Sequence, residues 1–189
     1  MSKKYALFLP LLAAVILLAG CTETEFSRNS SDPSGAAQSS GEEAQPLSFE
    51  ATDTEGNSVS GDIFSRSKLT MVNVWATYCN PCLREMPGLG ELAEEYDSEE
   101  FQILGIISDI PEGTEPKTME LVEELIEKTG ADYPHLLLNK SLYDAFLTDV
   151  AAVPTTFFID ENGTILDTVI GSMEKSAWEE RVNALLEKE

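Results

Sequence analysis

Two cysteines separated by two residues, Cys79 and Cys82, are the side chains in this sequence best suited to covalent chemistry. They lie in Trp75-Ala76-Thr77-Tyr78-Cys79-Asn80-Pro81-Cys82, after an apolar run and at the opening of a helical pattern. A Cys-x-x-Cys in that setting is a redox signature. Two intervening residues in a first helical turn bring the sulfurs close enough to bond without long loop closure. The first cysteine stands where backbone N–H groups are unpaired and the helix dipole is positive, and both favour its thiolate. Such a thiolate attacks a disulfide and leaves again readily. The second cysteine, one turn inward, resolves the mixed disulfide. Pro81 suits a first turn because its missing N–H costs nothing there.

Other readings of the pair are a structural disulfide and half of a zinc site. A structural zinc site takes about four ligands, whereas Cys21 lies far off and His135 is the one histidine. No metal is therefore expected, and no cofactor beyond a redox-active Cys79–Cys82 disulfide. Glu85 follows Cys82 by three residues, on a helix that also carries Glu91, Glu94 and Glu95. As a surface residue it would be ordinary. Close to the sulfurs and desolvated, it would have a raised pKa and could accept a proton. Trp75 either shields the sulfurs or belongs to the core. His135, after Pro134 at a strand start, reads as structural.

The elements that must position these residues alternate in type. Met71–Trp75 and Phe101–Ile107 read as buried strands, Leu47–Ala51 as a half-buried one, and Ser58–Ser60 as a short one after the turn cluster Asp53-Thr54-Glu55-Gly56-Asn57. Pro81–Tyr96 has helical spacing, with Pro87 expected to kink it. Thr118–Lys128 is amphipathic and stops at Gly130, His135–Leu138 is a short strand, and Ser141–Leu147 a short helix capped by Ser141. Asn162-Gly163 between Thr155–Asp160 and Thr164–Val169 signals a hairpin. Ser176–Leu186 closes the chain as a helix with Ser176 at its N-cap. The pattern predicts an α/β fold, its mixed central sheet covered on both faces.

The N-terminus reads as an address. Lys3 and Lys4 precede an apolar stretch, Tyr5–Ala19, that is shorter than the roughly 20 residues of a membrane span. It ends in Leu18-Ala19-Gly20-Cys21, which resembles the lipobox of bacterial lipoproteins, a likeness that implies cleavage before Cys21 and lipidation of its sulfur. Residues 1–20 are thus expected to be a signal peptide, 21–46 a lipidated, disordered tether, and 47–189 the folded domain. With 34 acidic against 12 basic residues and a net charge of −22, the surface repels nucleic acid and anionic headgroups.

Several segments resemble the thioredoxin superfamily, and more closely its TlpA/ResA group of membrane-tethered members. Met71–Cys79 is similar to the strand that delivers the active site. Cys79-Asn80-Pro81-Cys82-Leu83-Arg84-Glu85-Met86-Pro87 is similar to the group's active-site helix, including the Glu at position 85. Ala152-Val153-Pro154-Thr155 resembles the segment whose proline is cis and faces the cysteines. The segment around Glu112–Thr129 sits where the group has an inserted helix. The resemblance implies a thioredoxin-like three-layer α/β/α fold with an N-terminal β-hairpin. It implies catalysis by Cys79, Cys82 and Glu85, and client contacts at Val153, Pro154, Trp75 and Tyr78. It further implies a monomer on the outer face of the cytoplasmic membrane, protein disulfides as substrates, and a CcdA/DsbD-like membrane electron donor. Clients in the group include apocytochrome c and methionine sulfoxide reductases.

Departures leave the direction of electron flow open. Asn73 stands where cytosolic thioredoxins carry a buried Asp, Tyr78 replaces the usual Trp, and the dipeptide between the cysteines is Asn-Pro, which tunes the potential. A disulfide-forming oxidant is one alternative. A thioredoxin-fold copper-binding chaperone is another, although that group resembles Cys-x-x-x-Cys with a distal His. The peroxiredoxin pattern Pro-x-x-x-Thr-x-x-Cys is absent, with Val72 and Ala76 at its first two positions.

Overall fold

The computed structural model describes residues 46–188. The expected signal peptide, Cys21 and the tether up to residue 45 lie outside them. A hairpin of β1 (Glu50–Thr52) and β2 (Ser58–Ser60) comes first. Asp53 holds its turn: Oδ1 accepts the backbone N–H groups of Glu55 and Asn57 at 3.0 and 2.8 Å. The predicted strand over 47–51 is shorter and begins only at Glu50. Leu47 instead gives its N–H to the Gly163 carbonyl at 3.0 Å.

A 3-10 helix (Gly61–Arg66) leads to β3 (Leu69–Trp75), whose seven residues are all buried. Then follow α1 (Asn80–Glu95), β4 (Phe101–Pro111), α2 (Pro116–Thr129) and β5 (His135–Leu138). The short α3 (Lys140–Leu142) runs into a π-type turn, Tyr143–Leu147. Then come β6 (Thr155–Asp160), β7 (Ile165–Ile170) and α4 (Lys175–Leu186). Helix α1 continues through Pro87, which lies on its exposed side, so one missing N–H does not end it. Gly130, at φ 63°, closes α2 in the left-handed conformation that glycine favours.

Among the described residues the main sheet has the order β5-β4-β3-β6-β7. β3, β4 and β5 are parallel, β6 runs antiparallel to β3, and β7 antiparallel to β6, so that β6 alone opposes the other four strands. β3 is central, and β7 forms one free edge. The Asn162-Gly163 turn joins β6 to β7 as predicted. Asp160 Oδ1 accepts the N–H groups of Asn162 and Thr164 at 2.9 and 2.7 Å, and Gly163 takes φ 79°.

Alternation along the strands sends side chains to two cores. Met71, Trp75, Ile103, Ile107 and Phe158 pack under α1, α2 and α4. Val72, Val74, Leu104, Ile106, Phe157 and Ile159 pack under the hairpin, the 3-10 helix and α3. This is a three-layer α/β/α arrangement with α2 as the inserted helix. Two predicted caps differ. Asn139 caps α3 by accepting the Leu142 N–H at 2.9 Å, while Ser141 Oγ accepts the Glu50 N–H from β1 at 3.1 Å. At α4 the N-cap is Glu174, one residue before the helix starts at Lys175, and its side chain makes no capping bond.

Candidate active site

β3 delivers the chain to the rim of the sheet, and after three connecting residues Cys79 becomes the N-cap of α1. Its Sγ accepts the backbone N–H of Cys82 at 3.2 Å, and no acidic residue occupies the helix's first turn. The unpaired N–H groups and the positive end of the helix dipole therefore act on this sulfur without local competition. Cys79 and Cys82 are joined as a disulfide, S–S 2.00 Å, with Cα atoms 5.3 Å apart. Cys79 keeps 6% of its surface exposed and Cys82 none. An incoming group thus reaches Cys79 first.

Opposite the sulfur lies the turn before β6. The Val153 carbonyl oxygen is 3.6 Å from Cys79 Sγ, and the Val153–Pro154 peptide is cis. Pro154 is buried, and its carbonyl accepts the Gly171 N–H at 2.8 Å, which ties this turn to the end of β7. Tyr78, immediately before Cys79, is 73% exposed.

Glu85 is carried inward by α1 and is buried. Its Oε1 accepts the Asn73 Nδ2–H at 3.1 Å and its Oε2 the Met173 N–H at 3.1 Å. Burial pushes its pKa up to about 7, against the lowering effect of those two donors. Asn73 also donates to Thr156 Oγ1 at 3.1 Å. Three buried polar atoms of this neighbourhood, Asn73 Oδ1, Tyr133 OH and Trp178 Nε1, have no hydrogen-bond partner among the described residues. A carboxyl that titrates near neutrality thus sits in the interior, on the same helix as the sulfurs and one turn beyond Cys82. Among the described residues no group of three or more His, Cys, Asp or Glu side chains is arranged to hold a metal ion.

A profile of the AhpC/TSA family matches residues 41–168. The chain belongs to the AhpC/TSA family. Over 136 residues it is 30% identical to the thiol-disulfide oxidoreductase ResA of Halalkalibacterium halodurans, covering 72% of each chain. Its structure is similar to a thioredoxin family protein from Chlorobium tepidum TLS, with a TM-score of 0.62 at 24% identity over 75% of this chain and 95% of that one. It is also similar to an exposed lipoprotein thioredoxin of Streptococcus pneumoniae strain TIGR4, with a TM-score of 0.60 at 25% identity over 72% of this chain and 98% of that one. The fold is the thioredoxin fold, and this AhpC/TSA-family member is a protein-disulfide oxidoreductase.

In this family member one expected client contact is corrected. Trp75 has no exposed surface, so it cannot touch a client. Its indole Nε1–H donates to His135 Nδ1 at 3.1 Å, and His135 Nε2 pairs with the Ala131 carbonyl at 2.9 Å. Those partners fix a neutral ring with its proton on Nε2. Burial lowers the His135 pKa to about 4. The ring fits because position 105, facing it from β4, is glycine: any Cβ there would collide with the imidazole. His135 is structural, as its place in the sequence suggested, and Trp75 belongs to the core.

Sequence reasoning missed a set of ties behind the Cys79 loop. Ser108 Oγ donates to the Trp75 carbonyl at 2.9 Å. Asp109 accepts the Thr77 N–H at 3.0 Å through Oδ1 and the Thr77 hydroxyl at 2.5 Å through Oδ2. No local motif announces an Asp thirty-two residues from its partner. The one available signal was a polar pair, Ser108-Asp109, ending an otherwise apolar strand pattern.

Proposed function

We propose that this chain is a lipid-anchored reductase of protein disulfides working outside the cytoplasm. The observation that carries the reading is the placement of Cys79, which keeps a small accessible remnant of its surface at the N-cap of α1 opposite the Val153 carbonyl, with Cys82 fully buried behind it. In the reduced protein the Cys79 thiolate attacks one sulfur of a client disulfide, forming a mixed disulfide and releasing the other client sulfur as thiolate. Cys82 loses its proton and attacks Cys79, which reforms the internal disulfide and frees the second client thiolate. Two electrons pass from the dithiol to the client. Glu85, one helical turn from Cys82 and half-protonated at about pH 7, is suited to take the Cys82 proton. Tyr78 and the Val153–Pro154 turn flank the sulfur where an extended client segment would lie.

The internal disulfide then needs a two-electron donor. A CcdA/DsbD-like membrane protein fits that role, and Cys21, lipidated, would hold the domain beside it on the outer face of the membrane. Apocytochrome c and methionine sulfoxide reductases are the client types this reading favours. The test is the equilibrium potential of the full-length chain against glutathione and dithiothreitol, with Cys79→Ser and Cys82→Ser as controls. A value near about −270 mV supports a reductase, whereas one near about −120 mV makes it a disulfide-forming oxidant.

A further inference from the structure

β4 outruns β3. The last rung between them pairs Trp75 with Ile107, yet β4 continues to Pro111. Its overhang passes beneath the connection from β3 to α1, where Ala76, Thr77 and Tyr78 have no strand partner among the described residues. The connection makes one turn of its own, Cys79 N–H to the Ala76 carbonyl at 3.0 Å. The side-chain ties that hold it come from the overhang, Ser108 to the Trp75 carbonyl and Asp109 to Thr77. The Asp109 bonds are charge-assisted, and the carboxylate takes both the N–H and the O–H of one residue, fixing its position and rotation.

We propose that Asp109 is a positioning residue for thiol–disulfide exchange, acting through Thr77 to hold Cys79 against the Val153 carbonyl. The proposal rests on the exchange reaction described above. The disulfide must open and Cys79 must join a client while its sulfur stays in line with the turn before β6. A nucleophile on a three-residue connection keeps that alignment only if the connection is anchored, and misplacement by about 1 Å costs up to about a hundredfold in rate.

Asp109→Ala and Asp109→Asn in the full-length chain separate position from charge. The carboxamide keeps an oxygen for the Thr77 N–H and presents an N–H to Thr77 Oγ1, so it restores the anchor without the charge. Reduction of insulin disulfides and reaction of the reduced protein with Ellman's reagent are read beside the melting temperature. The expected result is a kcat/KM about tenfold lower for Asp109→Ala, carried by kcat, with Asp109→Asn within about threefold of the parent. Equal loss in both variants would assign the effect to charge and overturn the proposal. An unchanged rate per folded molecule, with only a lower melting temperature, would overturn it as well. Should Asp109→Ala not fold, Thr77→Val and Thr77→Ser decide: Val slows exchange about threefold and Ser restores it, or the proposal fails. A parent protein inert toward both probes would sink the exchange reaction itself, a result distinct from an active parent indifferent to Asp109.

Discussion

On one face of the central sheet Val72, Val74, Leu104, Ile106, Phe157 and Ile159 meet Phe49, Phe64, Leu142 and Phe146. The polar side chains that β3 and β6 bury there, Thr70 and Thr155, cannot ionise. On the opposite face Met71, Trp75 and Phe158 share an equally closed interior with Asn73, Thr156, Glu85 and His135. Both faces exclude water, but only the second holds a group that titrates near neutrality, Glu85, and it is the face that carries the sulfurs. The first face supplies cohesion with nothing to tune. The second gives up some cohesion, because a carboxylate out of water is costly, and gains a proton acceptor beside its cysteines.

Replacing residues on each face sharpens or breaks that division. The largest effect belongs to the sulfur itself: Cys79→Ser is expected to abolish reduction of insulin, read as loss of turbidity onset, while circular dichroism stays native. On the other face Phe64→Ala should cost about 3–5 kcal/mol in urea unfolding. Its redox equilibrium constant should stay within about tenfold of the parent, or about 30 mV. A larger shift in potential would show that the two faces are not separable.

Next comes the pH dependence of stability in the oxidised protein. Glu85 titrates at about 7 against 4.5 unperturbed, so the folded state holds a proton that the unfolded state has lost. Its contribution therefore makes stability fall as pH rises from about 4.5 to 7, by about 3 kcal/mol in all. His135 titrates at about 4 against 6.5, so the unfolded state binds the extra proton and stability falls as pH drops from about 6.5 to 4. The two slopes oppose each other across the shared window. Glu85→Gln should expose a stability that rises with pH there, and His135→Gln one that declines. Urea titrations from pH 4.5 to 6.5 that find both variants as flat as the parent would remove Glu85 from its assigned role. The smallest effect is Trp75→Phe. It leaves His135 Nδ1 unpaired and should lower stability by about 1–2 kcal/mol, with thiol exchange nearly intact, since Trp75 touches no client.

Much of this architecture is legible in the amino-acid sequence. The Cys79–Cys82 spacing, the buried run Met71–Trp75 and the Asn162-Gly163 hairpin are local signals, each set by a few neighbouring residues. The misplaced features depend on what arrives from elsewhere. Ser141 looks like a cap, but β1 takes its hydroxyl and leaves the capping to Asn139. Trp75 beside a Cys-x-x-Cys looks available to a client until β5 brings His135 beneath it. Asp109 and Glu85 are two acids in an acid-rich chain. Only the parallel crossing of β3 and β4 gives the first its partner, and only the β7–α4 connection brings the Met173 N–H to the second.

The free edge at β7 has a colloidal consequence. Ile165, Leu166 and Ile170 are exposed along a strand whose outer backbone groups have no partner strand among the described residues, the kind of edge that recruits strands from other molecules. The chain places no lysine on that strand to discourage such pairing. Mutual repulsion between copies, each at −22, does the same work from a distance. That guard reaches only about 8 Å at physiological salt and weakens further as salt rises or acid neutralises the carboxylates. Self-association should therefore begin at this edge, under conditions that leave every fold contact in place.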